Sequence, residues 1–165
     1  ASHGAGIGIF IGILLYARNR KGISIIWTFD RVAIAIPIAA AMVRIGNFVN
    51  SEIIGKPADL PWSIVFTKVD FIPRHPSQLY EAIAYIIIFL IIFFLYKKYK
   101  TETPKGLLSG LMLILLFSAR FFIEFFKENQ AEFESSLPID MGQILSIPLV
   151  LLGIALIIWG KKIKI

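Results

Sequence analysis

Arg44 and Asn47 stand three residues apart at the end of the apolar run VAIAIPIAAAMV, and Arg120 and Glu124 stand four apart inside FSARFFIEFF. On a helix these spacings put each pair on one face. A guanidinium fork beside a carboxamide can grip a phosphate or a carboxylate in two-point fashion. Asn50, Glu52 and Gly55 follow the first pair closely, and His75, Ser77, Gln78 and Glu81 open another apolar run. His3 precedes the small-residue stretch GAGIG, where it serves either as an interfacial polar residue or as a general base near neutral pH. For Arg44 the plain alternative is snorkelling to headgroups or pairing with Glu52 or Glu124. For Arg120 it is mutual neutralisation with Glu124. Two arginines embedded in apolar runs, with few carboxylates near them, favour an anion from outside the chain, and a phospholipid headgroup supplies one. No phosphate-binding glycine loop, metal-spaced His/Cys cluster or Gly-x-Ser-x-Gly elbow occurs, so no metal or other cofactor is expected.

The elements that must position these groups are membrane helices. The chain has 165 residues, 57% of them hydrophobic and 13% aromatic, and a mean hydropathy of +0.77, far too apolar for a soluble domain. With no cysteine there is neither a disulfide framework nor a thiolate in the chain itself. The net charge of +6 sits in short basic clusters beside apolar runs, a pattern of membrane topology and not of nucleic-acid binding.

A hydrocarbon core of about 30 Å needs roughly 20 apolar residues as helix. Five segments qualify: GAGIGIFIGILLYA, which is short, Ile23 to Val49, QLYEAIAYIIIFLIIFFLY, GLLSGLMLILLFSARFFIEFF and MGQILSIPLVLLGIALIIWG. Pro37 and Pro148 do not argue against helix in this setting. The expected fold is an all-α polytopic membrane protein of about five transmembrane helices, forming one membrane-embedded domain over 1–165. Since the chain opens on Ala1, it reads as an N-terminally truncated fragment. Loops rich in Arg18, Arg20 and Lys21, then Lys97 to Lys105, then Lys161 to Lys164, alternate with mixed or acidic loops. The positive-inside rule makes the basic set cytoplasmic, with the N-terminal end outside. His3, Arg44, Asn47, Glu81, Arg120 and Glu124 then all fall toward the outer leaflet.

The segment 51–76 reads as a small extracytoplasmic cap between the second and third spans, with WSIVFTKV as a short strand and prolines marking turns. Ser77 or His75 is the expected N-cap of the third span.

RIGNFVNSEIIGKP, then PRHPSQLYEA, then FSARFFIEFF, then MGQILSIPLVLLG together resemble prolipoprotein diacylglyceryl transferases of the bacterial inner membrane. SHGAGIG is similar to that family's His-Gly-Gly element, with alanine at the third place, and Val43 stands where a glycine is usual. The resemblance runs through essentially the whole chain. It implies transfer of a diacylglyceryl group from phosphatidylglycerol to the lipobox cysteine of a prolipoprotein signal peptide, releasing glycerol 1-phosphate, at a site facing the outer leaflet. By the same resemblance His3, Arg44 and Arg120 are catalytic. Arg44, Asn47, Asn50, Glu52, Gly55, Glu81, Arg120 and Glu124 would bind the substrate. Asp30 matches a family acidic position and is expected to be structural, holding Arg31. Family members carry further N-terminal spans, including a tyrosine tied to activity. The partners implied are phosphatidylglycerol, the prolipoprotein and membrane lipid, with no nucleic acid. The alternatives are a transporter that binds an anionic lipid or solute between its helices and a purely structural membrane module. Inner halves made almost wholly of Ile, Leu and Phe speak for a site reached from the outer leaflet.

Overall fold

The computed structural model describes residues 2–20, 22–128 and 140–162, with side chains from 4, 7–20, 22–128 and 140–160. Five helices dominate it: α1 (Ser2–Asn19), α2 (Ile25–Asn50), α3 (Ser77–Tyr99), α4 (Leu107–Glu124) and α5 (Met141–Lys162). Two strands, β1 (Ile64–Val65) and β2 (Pro73–Arg74), lie between α2 and α3, and a single 3-10 turn, Lys100–Glu102, follows α3. Helices α2 to α5 are each long and apolar enough to cross a membrane, whereas the apolar part of α1 is the shorter stretch Ile7–Asn19. The protein is thus an all-α, multi-pass membrane protein. Pro37 and Pro148 lie inside α2 and α5 as expected.

The helices pack as two intimate pairs, α2 with α3 and α4 with α5, and α4 joins the pairs by touching both α2 and α3. Ala33 and Ala41 on α2 are fully buried against Tyr85, Ile88 and Ile92 of α3 and Leu108, Met112, Leu113 and Leu116 of α4. Between lipid-facing helices such close fit, and not water exclusion, drives association. Helices α4 and α5 approach closely where Gly110 meets Gly153, each backbone filling the space a side chain on the other would need.

At the α3–α4 end of the bundle, Asp30 is structural in a way the sequence did not indicate. It is 2% exposed and does not hold Arg31. Its carboxylate accepts from Gly106 N (2.7 Å), Ser109 N (2.9 Å) and Ser109 Oγ (2.7 Å). Gly106 begins α4 in a left-handed conformation with no side-chain cap of its own. Asp30 therefore caps α4 from a neighbouring helix, an anion placed where the helix dipole favours it. Arg31 instead lies over the rings of Trp27 and Tyr96, 4.8 and 4.9 Å from their centroids.

The segment joining α2 to α3 differs from expectation in detail. Only Ile64–Val65 of WSIVFTKV is strand, paired antiparallel with Pro73–Arg74. Further bridges link Pro57 to Arg74 and Gly55 to Lys127. The sheet-like network thus ties this segment to the chain just past α4.

Candidate functional site

The α2–α3 end begins with a strained turn. Helix α2 closes on Ser51 with φ +61°, and Ile53 also has a left-handed backbone at φ +54°, a conformation unfavourable for a β-branched residue and costing about 1–3 kcal/mol. Three bonds hold it: Glu52 N donates to Asn47 O (2.8 Å), Ser77 Oγ to Ile53 O (3.2 Å) and Gln78 Nε2 to Glu52 O (2.7 Å). The expectation that Ser77 or His75 caps α3 is corrected here. Pro76 is the capping position and no side chain bonds there, because the Ser77 hydroxyl is committed to the turn. His75 instead packs against Tyr80 and Phe126.

This turn sets Glu52 against α2. Asn47 Nδ2 donates to Glu52 Oε2 (2.8 Å), and Arg44 Nη1 donates to Asn47 Oδ1 (3.4 Å). Arg44 Nε lies 2.9 Å from Glu81 Oε2, an ion pair in which the N–H is not directed at that oxygen. Glu81 is fully buried. Its Oε1 accepts from Tyr85 Oη (3.1 Å) and from Lys127 Nζ (3.0 Å), and Lys127 also reaches Glu124 Oε2 (3.0 Å). Each helix contributes residues spaced three or four apart: Arg44 and Asn47, then Gln78, Glu81 and Tyr85, then Arg120 and Glu124. That spacing aims each set at one region.

Lys127 is the member sequence reasoning missed. It lies beyond the end of α4 in a loop of mixed charge, yet it is only 3% exposed. Backbone pairing puts it there: Lys56 N donates to Phe126 O (2.9 Å) and Glu128 N to Ile54 O (3.2 Å). Gly55 makes the pairing possible, since a Cβ there would overlap His75 and press on the Phe126 carbonyl. Arg74 pins the same junction through Gly55 O (3.2 Å), Glu128 Oε2 (3.0 Å) and the Asp70 carboxylate. The Arg74 hydrogen bond, joined by one from the Ile72 backbone, lowers the Asp70 pKa, and the Asp70 bond in turn raises that of Arg74. On α5, Gly142 leaves room for the Glu124 carboxylate, which a side chain would displace.

The structure thus gathers Arg44, Asn47, Glu52, Glu81 and Glu124 into one connected network. Arg120 is half-buried. It stands four residues before Glu124 on α4, which puts the two on one face of the helix. The Arg120–Glu124 pairing weighed from their spacing is replaced by Lys127–Glu124, and Arg44 takes Glu81 in place of Glu52 or Glu124. Among the described residues Arg120 has no ion pair. Asn50 is exposed at the end of α2, and Gly55 acts through the backbone junction. The His3 side chain lies outside the described residues. No grouping of three His, Cys, Asp or Glu side chains that could hold a metal occurs among the described residues.

Chemically, the network sets the cations Arg44 and Lys127, with Arg120 on the same face of α4 as Glu124, against the carboxylates of Glu52, Glu81 and Glu124. Of these carboxylates only Glu81 is fully buried. Arg44 uses Nε and one Nη1 hydrogen internally, so the rest of its five-donor fork is open to a ligand oxygen. The open donors of the fork suit an anion with several oxygen atoms.

Residues 1–159 match the family model for prolipoprotein diacylglyceryl transferase. A phosphatidylglycerol–prolipoprotein diacylglyceryl transferase of Bacteroides fragilis is 50% identical over 98% of this chain and 58% of its own length. Relatives of the same name from Chloroherpeton thalassium and Tolumonas auensis are 44% and 45% identical, over 98% and 99% of this chain and 60% and 63% of theirs. The chain thus spans about three fifths of the length of these relatives, and over that span it belongs to the prolipoprotein diacylglyceryl transferase family.

Proposed function

We propose that the protein carrying this chain transfers the diacylglyceryl group of phosphatidylglycerol to the cysteine thiol of a prolipoprotein lipobox. The observation that carries this reading is the Arg44 network: a cation held by Glu81 and Asn47, with spare donors, near the end of a membrane helix. The names of the relatives supply both substrates.

In this reading the thiol loses its proton to a base, for which His3 is the candidate. The thiolate attacks the glyceryl carbon that bears the phosphate ester. A carbon–sulfur bond forms, the carbon–oxygen bond breaks, and the electron pair leaves with the phosphate as glycerol 1-phosphate. The phosphate passes from one negative charge toward two. Arg44 and Arg120 offset that growing charge, and preorganised donors of this kind favour the transition state over the ground state. The same positive field favours thiolate over thiol, whose ordinary pKa is about 8.5. Asn47 and Glu52 fix the Arg44 fork, Lys127 and Glu81 hold it in place, and Glu124 orients Lys127. Gly55 acts by closing the junction that places Lys127, and Asn50 lies at the rim, where the substrate enters. The site faces the outer leaflet of the bacterial inner membrane, and residues 51–76 cover it as an extracytoplasmic cap.

The test is to incubate membranes containing the protein with phosphatidylglycerol and a lipobox peptide. Mass spectrometry then looks for a thioether-linked diacylglyceryl group on the peptide cysteine. Its appearance supports the transferase, and lipid binding without any adduct would favour a transporter or structural module.

A further inference from the structure

Gln78 carries an unspent hydrogen-bonding atom in the same network. It is fully buried, and its Nε2 donates to Glu52 O at 2.7 Å. That bond fixes the amide orientation, because a flipped amide would set two carbonyl oxygens against each other. Oε1 is thereby directed elsewhere, and it is buried with no donor. Glu81, one turn further along α3, has the same property at Oε2, whose 2.9 Å approach to Arg44 Nε is not an aligned hydrogen bond.

The two acceptors belong to one closed ring. It runs from Gln78 to the Glu52 carbonyl, from the Glu52 carboxylate to Asn47, from Asn47 to Arg44, and from Arg44 to Glu81, then back along a single turn of α3. Buried acceptors without donors are rare and costly, so two in one ring beside spare arginine donors point to a ligand that brings its own hydrogens. Cβ atoms three residues apart on a helix are about 5–6 Å from each other. Two hydroxyls on adjacent carbons, each making a bond of about 2.8 Å, can serve both acceptors.

We propose that Gln78 is a specificity-determining residue, whose Oε1 together with Glu81 Oε2 accepts hydrogen bonds from hydroxyl groups of a polyol phosphate headgroup bound at Arg44. This rests on the transferase reading and adds the way the headgroup is told from others. The arginine donors take the phosphate oxygens, and the α3 acceptors take the hydroxyls of the glycerol that departs with it.

The test compares thioether formation on a lipobox peptide from phosphatidylglycerol and from phosphatidylpropanol, which keeps the phosphodiester but lacks both headgroup hydroxyls. The wild-type protein should prefer phosphatidylglycerol by about tenfold to a hundredfold, the effect of leaving buried acceptors unpaired. Gln78→Met should lower that preference at least fivefold. The ratio of the two lipids within each variant is the readout, so a general loss of folded protein does not move it. Equal use of both lipids by the wild type would overturn the proposal even if no variant folds, and so would an unchanged ratio in Gln78→Met, which would leave Oε1 to water alone. No adduct from phosphatidylglycerol itself would instead remove the transferase reading on which the proposal stands.

Discussion

Asp30 and Glu81 are both buried carboxylates inside the helical bundle, at opposite ends of it, and they are satisfied in different ways. Asp30 spends both oxygens on three neutral donors of α4. Neither oxygen lacks a donor, and the group does one architectural job. Glu81 is held by Lys127, Arg44 and Tyr85, and one of its oxygens still has no aligned donor. Intramembrane charge is expensive in either place. Where neighbours discharge the cost completely the residue builds the fold, and where cations crowd it and capacity remains the residue serves a ligand.

The sharpest way to break that contrast is at Arg44. Arg44→Ala should lower thioether formation on the order of 10²–10³-fold, the scale of losing a preorganised charge donor. Arg44→Lys keeps the charge but loses the fork and should recover only part of the activity. Unchanged turnover in Arg44→Ala would end the assignment.

Lys127 comes next. Lys127→Met leaves Glu81 and Glu124 without their shared cation and should cut turnover about tenfold to a hundredfold, with Lys127→Arg restoring most of it. A variant that is stable and fully active would show that Lys127 only fastens the junction. Gly142→Ala is milder: the new methyl group displaces the Glu124 carboxylate at a cost of about 1–3 kcal/mol. It should raise KM for the lipid more than it lowers kcat.

The smallest effect is expected at the Asp70–Arg74 pair. The Asp70 pKa is lowered from 3.8, chiefly by the Arg74 hydrogen bond. Its stabilising contribution is therefore complete above about that pH and fades as the pH falls through the lower folded value. Hydrogen exchange in residues 54–57 and 73–75 should rise slightly on acidification below 3.8, and Asp70→Asn should raise it at neutral pH and flatten the dependence.

Much of this was legible in the sequence, for identifiable reasons. Apolar runs placed the helices closely: Ile23 to Val49 became Ile25–Asn50, and MGQILSIPLVLLGIALIIWG became the first 20 residues of Met141–Lys162. Helical spacing paired Arg44 with Asn47, and the structure keeps that contact. Spacing could not say which carboxylate Arg44 would meet, because Glu81 comes from another helix. It offered Arg120–Glu124 as the plain alternative because it weighs neighbours on one helix and not a lysine brought back by backbone pairing. WSIVFTKV alternates like a strand, yet only Ile64–Val65 finds a partner strand, since pairing depends on where the chain returns. Arg120, Glu124 and Lys127 do recur at intervals of four and three residues, and that pattern was the available signal for Lys127.

The most direct test sets the two carboxylates side by side. Thioether formation from phosphatidylglycerol is measured for Glu81→Gln and Asp30→Asn, each normalised to the amount of folded protein in the membrane. Glu81→Gln should lose most of its turnover per folded molecule, while Asp30→Asn should yield less folded protein with near-normal turnover. The reverse pattern, an active Glu81→Gln and a well-folded but inactive Asp30→Asn, would contradict the division between a site-forming end and a fold-forming end.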